Sequence, residues 1–156
     1  MSAAVIVALR VAATPARAFD VFTREIGRWW QSHPLFRLSR AGDGELRFDP
    51  EGPDGRLVTR FADGSEWEIG RVRCWEPGER LAFGWRLPSF TADQATEVEV
   101  RFEAVGGETR VTVEHRGWDA IPQKHAARHG FALMLFQRRL GEHWRGVLGR
   151  LEAIVR

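Results

Sequence analysis

The chain has 156 residues, of which 44% are hydrophobic and 28% charged, a length and balance that suit one globular domain with a substantial core. Its longest apolar runs fall far short of the ~20 residues that cross a bilayer, and no basic residue precedes the apolar stretch at 3–9, so neither a membrane span nor a secretory leader is expected. The isoelectric point of 9.4 overstates a formal charge of only +2, because the chain has no tyrosine and Lys124 is its single lysine; the arginines are scattered among acids, so no nucleic-acid partner is expected.

A single domain in the cytoplasm is therefore the starting expectation. The lone cysteine, Cys74, has no partner for an internal disulfide and reads as a small residue on a sheet. Against this ordinary background stand seven tryptophans: Trp29, Trp30, Trp67, Trp75, Trp85, Trp118 and Trp144. An indole withdraws a large apolar area from water while carrying one N–H, so this content predicts a bulky apolar interior or cavity approached from every part of the chain.

Residues 5–11 alternate weakly and read as a strand, followed by Thr14-Pro15, a helix start with Thr as cap and Pro in the first turn. That helix runs through Phe19 and Phe22. A second short helix over 24–30 follows, with Trp29, Trp30, Leu35 and Phe36 forming an apolar lip before a Gly-rich loop at 41–44. Residues 45–49 read as a short strand ended by Pro50, and Gly52-Pro53-Asp54-Gly55 as a turn. Strands over 56–61 and 65–75 flank Asp63-Gly64, a hairpin signal. Pro77-Gly78 makes the next reversal into a strand at 80–87. Strands over 96–103 and 108–115 flank Gly106-Gly107. The chain closes with a helix predicted from about 124 to 154, whose apolar stripe is Leu133, Phe136, Leu140, Trp144, Val147, Leu148 and Leu151. A one-faced sheet and a one-striped helix pack on each other, giving an α+β fold of about six or seven strands.

Pairing arithmetic assigns faces. If Glu76 and Glu79 close the Pro77-Gly78 turn, Val72 lies opposite Phe83 and Gly70 opposite Trp85, with Cys74 and Leu81 on that same inner face and Trp75 outside. In the last hairpin, pairing Arg101 with Glu108 and Glu99 with Arg110 is favoured over Arg101 with Arg110, since opposite charges across strands attract. Both registers turn Val98, Val100, Val111, Val113 and His115 inward and leave Glu97, Glu99 and Glu103 on a solvated outer face. Glu66 and Glu68 have two readings. Continuing the Gly70 and Val72 face puts both carboxylates inside, whereas a bulge at Gly70 turns Trp67 and Ile69 inward.

Few residues are placed for chemistry. His115 reads as a hydrogen-bonded structural or cavity-lining group, with a general base as the alternative, and no triad partner is placed beside it. His125 and His129 have helical zinc spacing but lack the Glu that a metalloprotease motif requires. No phosphate loop is present.

Several segments, taken in order, carry a resemblance. Ala18-Phe19-Asp20-Val21-Phe22-Thr23, then Ile26-Gly27-Arg28-Trp29-Trp30, then Gly70-Arg71-Val72 through Trp75-Glu76-Pro77 to Leu81-Ala82-Phe83-Gly84-Trp85, then Glu114-His115-Arg116-Gly117-Trp118, and finally Trp144 with Val147-Leu148 resemble the bacterial activator of heat-shock-protein-90 ATPase homologues of the START-like, or SRPBCC, superfamily. The resemblance covers nearly the whole chain. It implies a helix-grip fold, a curved antiparallel sheet wrapped around a long C-terminal helix with a cavity between them. It brings no catalytic set, since the superfamily spreads carriers, receptors and cyclases over one scaffold.

The leading expectation is a protein that holds a small apolar or aromatic molecule between sheet and helix, without cofactor or metal. Its expected lining is Trp30, Phe36, Phe61, Phe83, Trp85, His115, Trp118 and Phe136, with Glu68 as polar anchor if it faces inward. An enzyme using His115 or Glu68 for cyclisation, isomerisation or hydrolysis is one alternative. A protein that acts on a chaperone ATPase is another, and a homodimer stays open.

Overall fold

The computed structural model describes residues 4–31, 33, 35–36 and 44–156. Strand β1 (Ala4–Val11) leads into helix α1 (Pro15–Arg24) and the short helix α2 (Ile26–Trp29). Six strands follow: β2 (Glu45–Phe48), β3 (Arg56–Arg60), β4 (Glu66–Glu76), β5 (Arg80–Trp85), β6 (Thr96–Val105) and β7 (Glu108–Arg116). Two single 3₁₀ turns (Trp118–Ala120 and Ala126–Arg128) precede the closing helix α3 (Leu133–Val155). The seven strands form one sheet in the order β1-β7-β6-β5-β4-β3-β2, every pair antiparallel. The curled sheet grips α3, so the fold is the α+β helix-grip arrangement.

Local chemistry accounts for these elements. The Thr14 side chain accepts from the Arg17 N–H at 3.2 Å, capping α1 with Pro15 at its first position. Helix α3 buries Phe136, Leu140, Trp144, Val147, Leu148 and Leu151, the predicted stripe except for half-buried Leu133. It starts nine residues later than predicted, since 124–132 makes a 3₁₀ turn stabilised by the His125 side chain, which accepts from the Ala127 N–H. His125 and His129 therefore do not share a helix face. Gly141 brings α3 close to the sheet, where a methyl group would lie 3.5 Å from Val5.

Two bulges decide which side chains enter the core. Between β3 and β4 the register shifts so that Leu57 faces Gly70 while Val58 faces Glu68. Ile69 is thereby fully buried and Trp67 packs on the core from a half-buried position. The bulge reading holds, and Glu66 and Glu68 turn outward to Arg56, Arg60 and Arg71. Between β4 and β5 the pairs are Val72 with Phe83, Cys74 with Ala82 and Trp75 with Leu81. This second bulge, at Arg73, corrects the predicted faces of two residues. Trp75 turns in against Phe19 and Phe48 at ring separations of 5.3 and 5.6 Å, while the Cys74 thiol lies on the exposed side with Glu76. Gly70 also differs in its reason: a methyl there would overlap the Gly84 carbonyl, so it admits a neighbouring backbone and not the Trp85 indole.

The last hairpin takes neither predicted register. Val105 pairs with Glu108 around a two-residue Gly106-Gly107 turn, which sets Glu103 against Arg110 and Arg101 against Thr112. Gly106 has φ +61°, the left-handed conformation that tight hairpin turns demand, and turn geometry outweighs a few tenths of a kcal/mol from surface charge pairs. The shift is even, so the inner face is as predicted. Glu99 is not solvated: only 4% exposed, it sits beneath Arg80 at 2.7 Å and Arg101 at 3.0 Å. Burial opposes its charge, but these guanidinium groups prevail and hold the carboxyl below its ordinary range.

Candidate functional site

The space between sheet and α3 is occupied by aromatic rings in mutual contact. Trp30 from the end of α2, Trp85 from β5 and Trp144 from α3 meet with centroids 5.4 to 6.1 Å apart. Phe83 extends the stack to Phe48. On the other side, His115 contacts Trp118, which packs on Phe136 at 4.6 Å, and Phe136 meets Phe36. Seven of the nine expected lining residues, Trp30, Phe36, Phe83, Trp85, His115, Trp118 and Phe136, thus share one continuous cluster. Phe61 stands apart at the mouth of the β3–β4 hairpin, half-buried and outside the core. Glu68 is also elsewhere, because the bulge at Ile69 leaves it 3.7 Å from Arg56 and 3.9 Å from Arg71.

His115 is fixed by a relay that accounts for both ring nitrogens. The Trp144 Nε1–H points at Nδ1 from 3.2 Å, so Nδ1 accepts and Nε2 carries the proton. Nε2 then donates to Thr96 Oγ1 at 2.9 Å, and the Thr96 hydroxyl donates to the Trp85 carbonyl at 2.8 Å. Every donor finds an acceptor only if the imidazole is neutral. Burial, with the charge of His143 as a lesser cause, pushes His115 down to about 3. A base is therefore not poised here, and the relay ties β5, β6, β7 and α3 together.

Open space begins where this cluster reaches α3's outer flank. A cleft of about 730 Å³ lies between the segment after α2 and α3, lined by Gln31, His33, Leu35, Phe131, Arg139, Glu142, His143, Gly146 and Val147. Helical spacing gathers the α3 members, since 139, 142, 143, 146 and 147 fall on one stripe. His143 forms the wall shared with the core. Its ring contacts Trp30 at 5.2 Å, His33 at 5.1 Å and Phe36 at 5.3 Å, and its Nε2 is buried without a hydrogen-bond partner among the described residues. Burial first, and the His33 charge second, push it down to about 4. Arg139 and Glu142 pair with each other at 3.6 Å. Four further buried donors lack a partner among the described residues: the indole N–H groups of Trp30 and Trp118, Nε of Arg128 and Nε2 of Gln137. Arg128 otherwise donates to the carbonyls of Ile121 and Phe131. No group of three or more His, Cys, Asp or Glu suited to a metal occurs among the described residues.

The family described as Activator of Hsp90 ATPase homolog 1-like protein matches residues 12–155. The chain belongs to that family. Solved structures extend the likeness at the level of fold. CalU16 from Micromonospora echinospora is 18% identical with a TM-score of 0.63, over 99% of this chain and 75% of that one. The Aha1 dimer from Colwellia psychrerythraea is 14% identical with a TM-score of 0.65, over 98% of this chain and 96% of that one. DynU16, a protein in the dynemicin biosynthetic locus, is 21% identical with a TM-score of 0.61, over 96% of this chain and 46% of that one. No curated protein matches.

Sequence reasoning missed the cleft in this family member, although two signals for it were legible. His143 falls in phase with Phe136, Leu140 and Val147 on the buried stripe of α3, where a polar ring is out of place unless something answers it. Gly146 is a second trace, a helix-interior glycine where a methyl would meet nothing within 4 Å, so packing does not explain it. Of the facing residues, Leu35 belonged to the predicted apolar lip, while Gln31 and His33 carried no pattern. The rest of the predicted Gly-rich loop, 41–43, lies outside the described residues.

Proposed function

We propose that the protein binds a small ring-bearing molecule, and that the site is the cleft between the segment after α2 and helix α3. The observation that carries this reading is the cleft itself. Its volume of about 730 Å³ falls in the range of small-molecule sites, and its lining sets Leu35, Phe131 and Val147 beside the polar side chains of Gln31, His33, Arg139, Glu142 and His143. The fold shared with DynU16, described as belonging to a biosynthetic locus, supports a small-molecule ligand. So does the condition of His115, whose committed nitrogens favour binding over acid-base catalysis.

Native mass spectrometry and tryptophan fluorescence with a panel of fused-ring aromatics test this reading. The expected outcome is saturable quenching, since Trp30 stands one ring behind His143. A Gly146→Leu variant, whose side chain enters open space, is expected to weaken binding at least about tenfold by filling the cleft. A panel with no saturable ligand, and a purified protein carrying none, would sink the proposal.

A further inference from the structure

The two edges of the sheet are closed unequally. Strand β2 has four residues and lies against α2, where a methyl on Gly27 would stand 3.0 Å from the Leu46 carbonyl oxygen. Strand β1, at the other edge, has eight residues, no proline and only Arg10 charged. Alternation fixes which of its backbone groups are free. The Phe102 N–H donates to the Glu79 carbonyl just before β5, so the Arg101 N–H points the other way, to Thr112 of β7. Val113 then turns toward β1 and exchanges bonds with Val7. Ile6 and Ala8 are left with N–H and C=O directed away from the sheet, and no hydrogen bond answers them there among the described residues. Such an edge is a template for another strand, and native sheets usually blunt it with charge, proline or a covering segment.

A groove of about 330 Å³ runs beside this edge, lined among others by Ile6 and Val7 of β1 and by Met134, Arg138, Gly141 and Arg145 of α3. This stripe of α3 is distinct from the one that lines the cleft. Ile6 is 61% and Met134 81% exposed, two of the three large hydrophobics left exposed among the described residues. The charge is one-sided. Arg138 and Arg145 are exposed, neither guanidinium has an ion pair or hydrogen bond among the described residues, and no acid lines the groove. A second copy paired through its own β1 would bring no acid to these arginines, since that strand carries none.

We propose that the β1 edge and the adjoining flank of α3 dock an extended acidic peptide segment of a partner protein, which pairs with β1 as an added strand. Main-chain bonds to Ile6 and Ala8 supply the attachment, and the side chains of the added strand supply the selection. Those on the α3 side meet Arg138 and Arg145, which stand about 10.5 Å apart along the helix axis, the length of about three strand residues. Carboxylates at alternate positions answer both arginines. The intervening side chains fall on the opposite face beside Ile6, where a β-branched residue packs well.

The test titrates capped seven-residue peptides, alternating valine with glutamate or with lysine, into the unmodified protein by isothermal titration calorimetry at low salt, with amide hydrogen exchange followed by NMR. The expected result is binding of the glutamate peptide at least about tenfold more tightly than the lysine peptide, with slower exchange of the Ile6 and Ala8 amides in the complex. Arg138→Glu combined with Arg145→Glu, both at exposed positions, is expected to reverse the preference. Methylating the backbone nitrogens of the glutamate peptide is expected to abolish binding, since the added strand then has no N–H to give. A lack of preference for glutamate, binding that leaves Ile6 and Ala8 exchange unchanged, or a methylated peptide that binds equally well overturns the inference. So does absence of binding by every peptide, or dimerisation of the protein alone that protects the same two amides. None of these outcomes bears on the cleft, whose ring-ligand binding is read separately through Gly146→Leu.

Discussion

Trp144, His115, Thr96 and the Trp85 carbonyl form a line of donors and acceptors in which each atom has one role. Such a relay is strict because every member is buried and water cannot replace a missing partner. Thr96→Val preserves the shape of the side chain but removes the hydroxyl, leaving both the His115 Nε2–H and the Trp85 carbonyl unanswered. A loss of about 2 kcal/mol in urea denaturation is the expected outcome. An effect below the scatter of such measurements would show that the relay does not hold the interior. His143 is the contrasting case, since its ring is packed but its Nε2 is not answered. The two histidines show that burial alone does not define a role, and that the partner set does.

Glycines and bulges set geometry at the scale of elements. Gly70 on β4 and Gly84 on β5 bring two backbones so close that a methyl on Gly70 would overlap the Gly84 carbonyl. Gly70→Ala is therefore expected to cost about 3 kcal/mol, because rigid backbone and not a flexible side chain must give way. A thermal unfolding midpoint equal to that of the unmodified protein would contradict this close crossing. The same region shows what strand arithmetic can and cannot read. Alternation survives a slip by two residues, which is why His115, Val111 and Val113 face inward although the last hairpin takes an unpredicted register. It does not survive a one-residue bulge. The bulge at Arg73 exchanges the faces of Cys74 and Trp75, and the one at Ile69 removes Glu68 from the interior. Nothing local in the sequence distinguishes Arg73 from its neighbours, since a bulge follows from how the sheet curls around α3.

The two buried histidines couple stability of the whole molecule to pH. Both have folded-state values below the ordinary 6.5, about 3 for His115 and about 4 for His143. Between those values and 6.5 the unfolded chain binds more protons than the folded one, so stability rises with pH and is lost as pH falls below about 6.5. Around His143 stand His33, Arg139 and Glu142, the last paired with Arg139, and around His115 the relay of uncharged groups with His143 beyond it. Each histidine is expected to cost about 2 kcal/mol on going from pH 7 to pH 5. Urea midpoints measured across that window should fall, and His143→Phe should fall less steeply. The window is distinct from that of Glu99, whose lowered carboxyl stabilises the fold above its ordinary 4.5 and loses that contribution only as pH falls below it. A flat profile from pH 7 to pH 5 would mean that these rings take up protons in the folded protein.

The sequence by itself determined an antiparallel sheet of about six or seven strands with a long closing helix, because periodicity, turn residues and caps are local properties that hold wherever the chain is placed. It also predicted a bulky aromatic interior, and Trp29, Trp30, Trp85, Trp118 and Trp144 are buried, whereas Trp75, assigned to the outer face, and Trp67, left open, pack on the core through the two bulges. Only the tertiary structure decided that these rings meet one another between sheet and helix, and that a cleft opens beside them against His143 and Gly146. The reason is physical. Burial of a side chain follows from its own chemistry, whereas a cleft is the space that packing leaves between segments 100 residues apart in the chain, here about Gln31 to His33 and Arg139 to Val147.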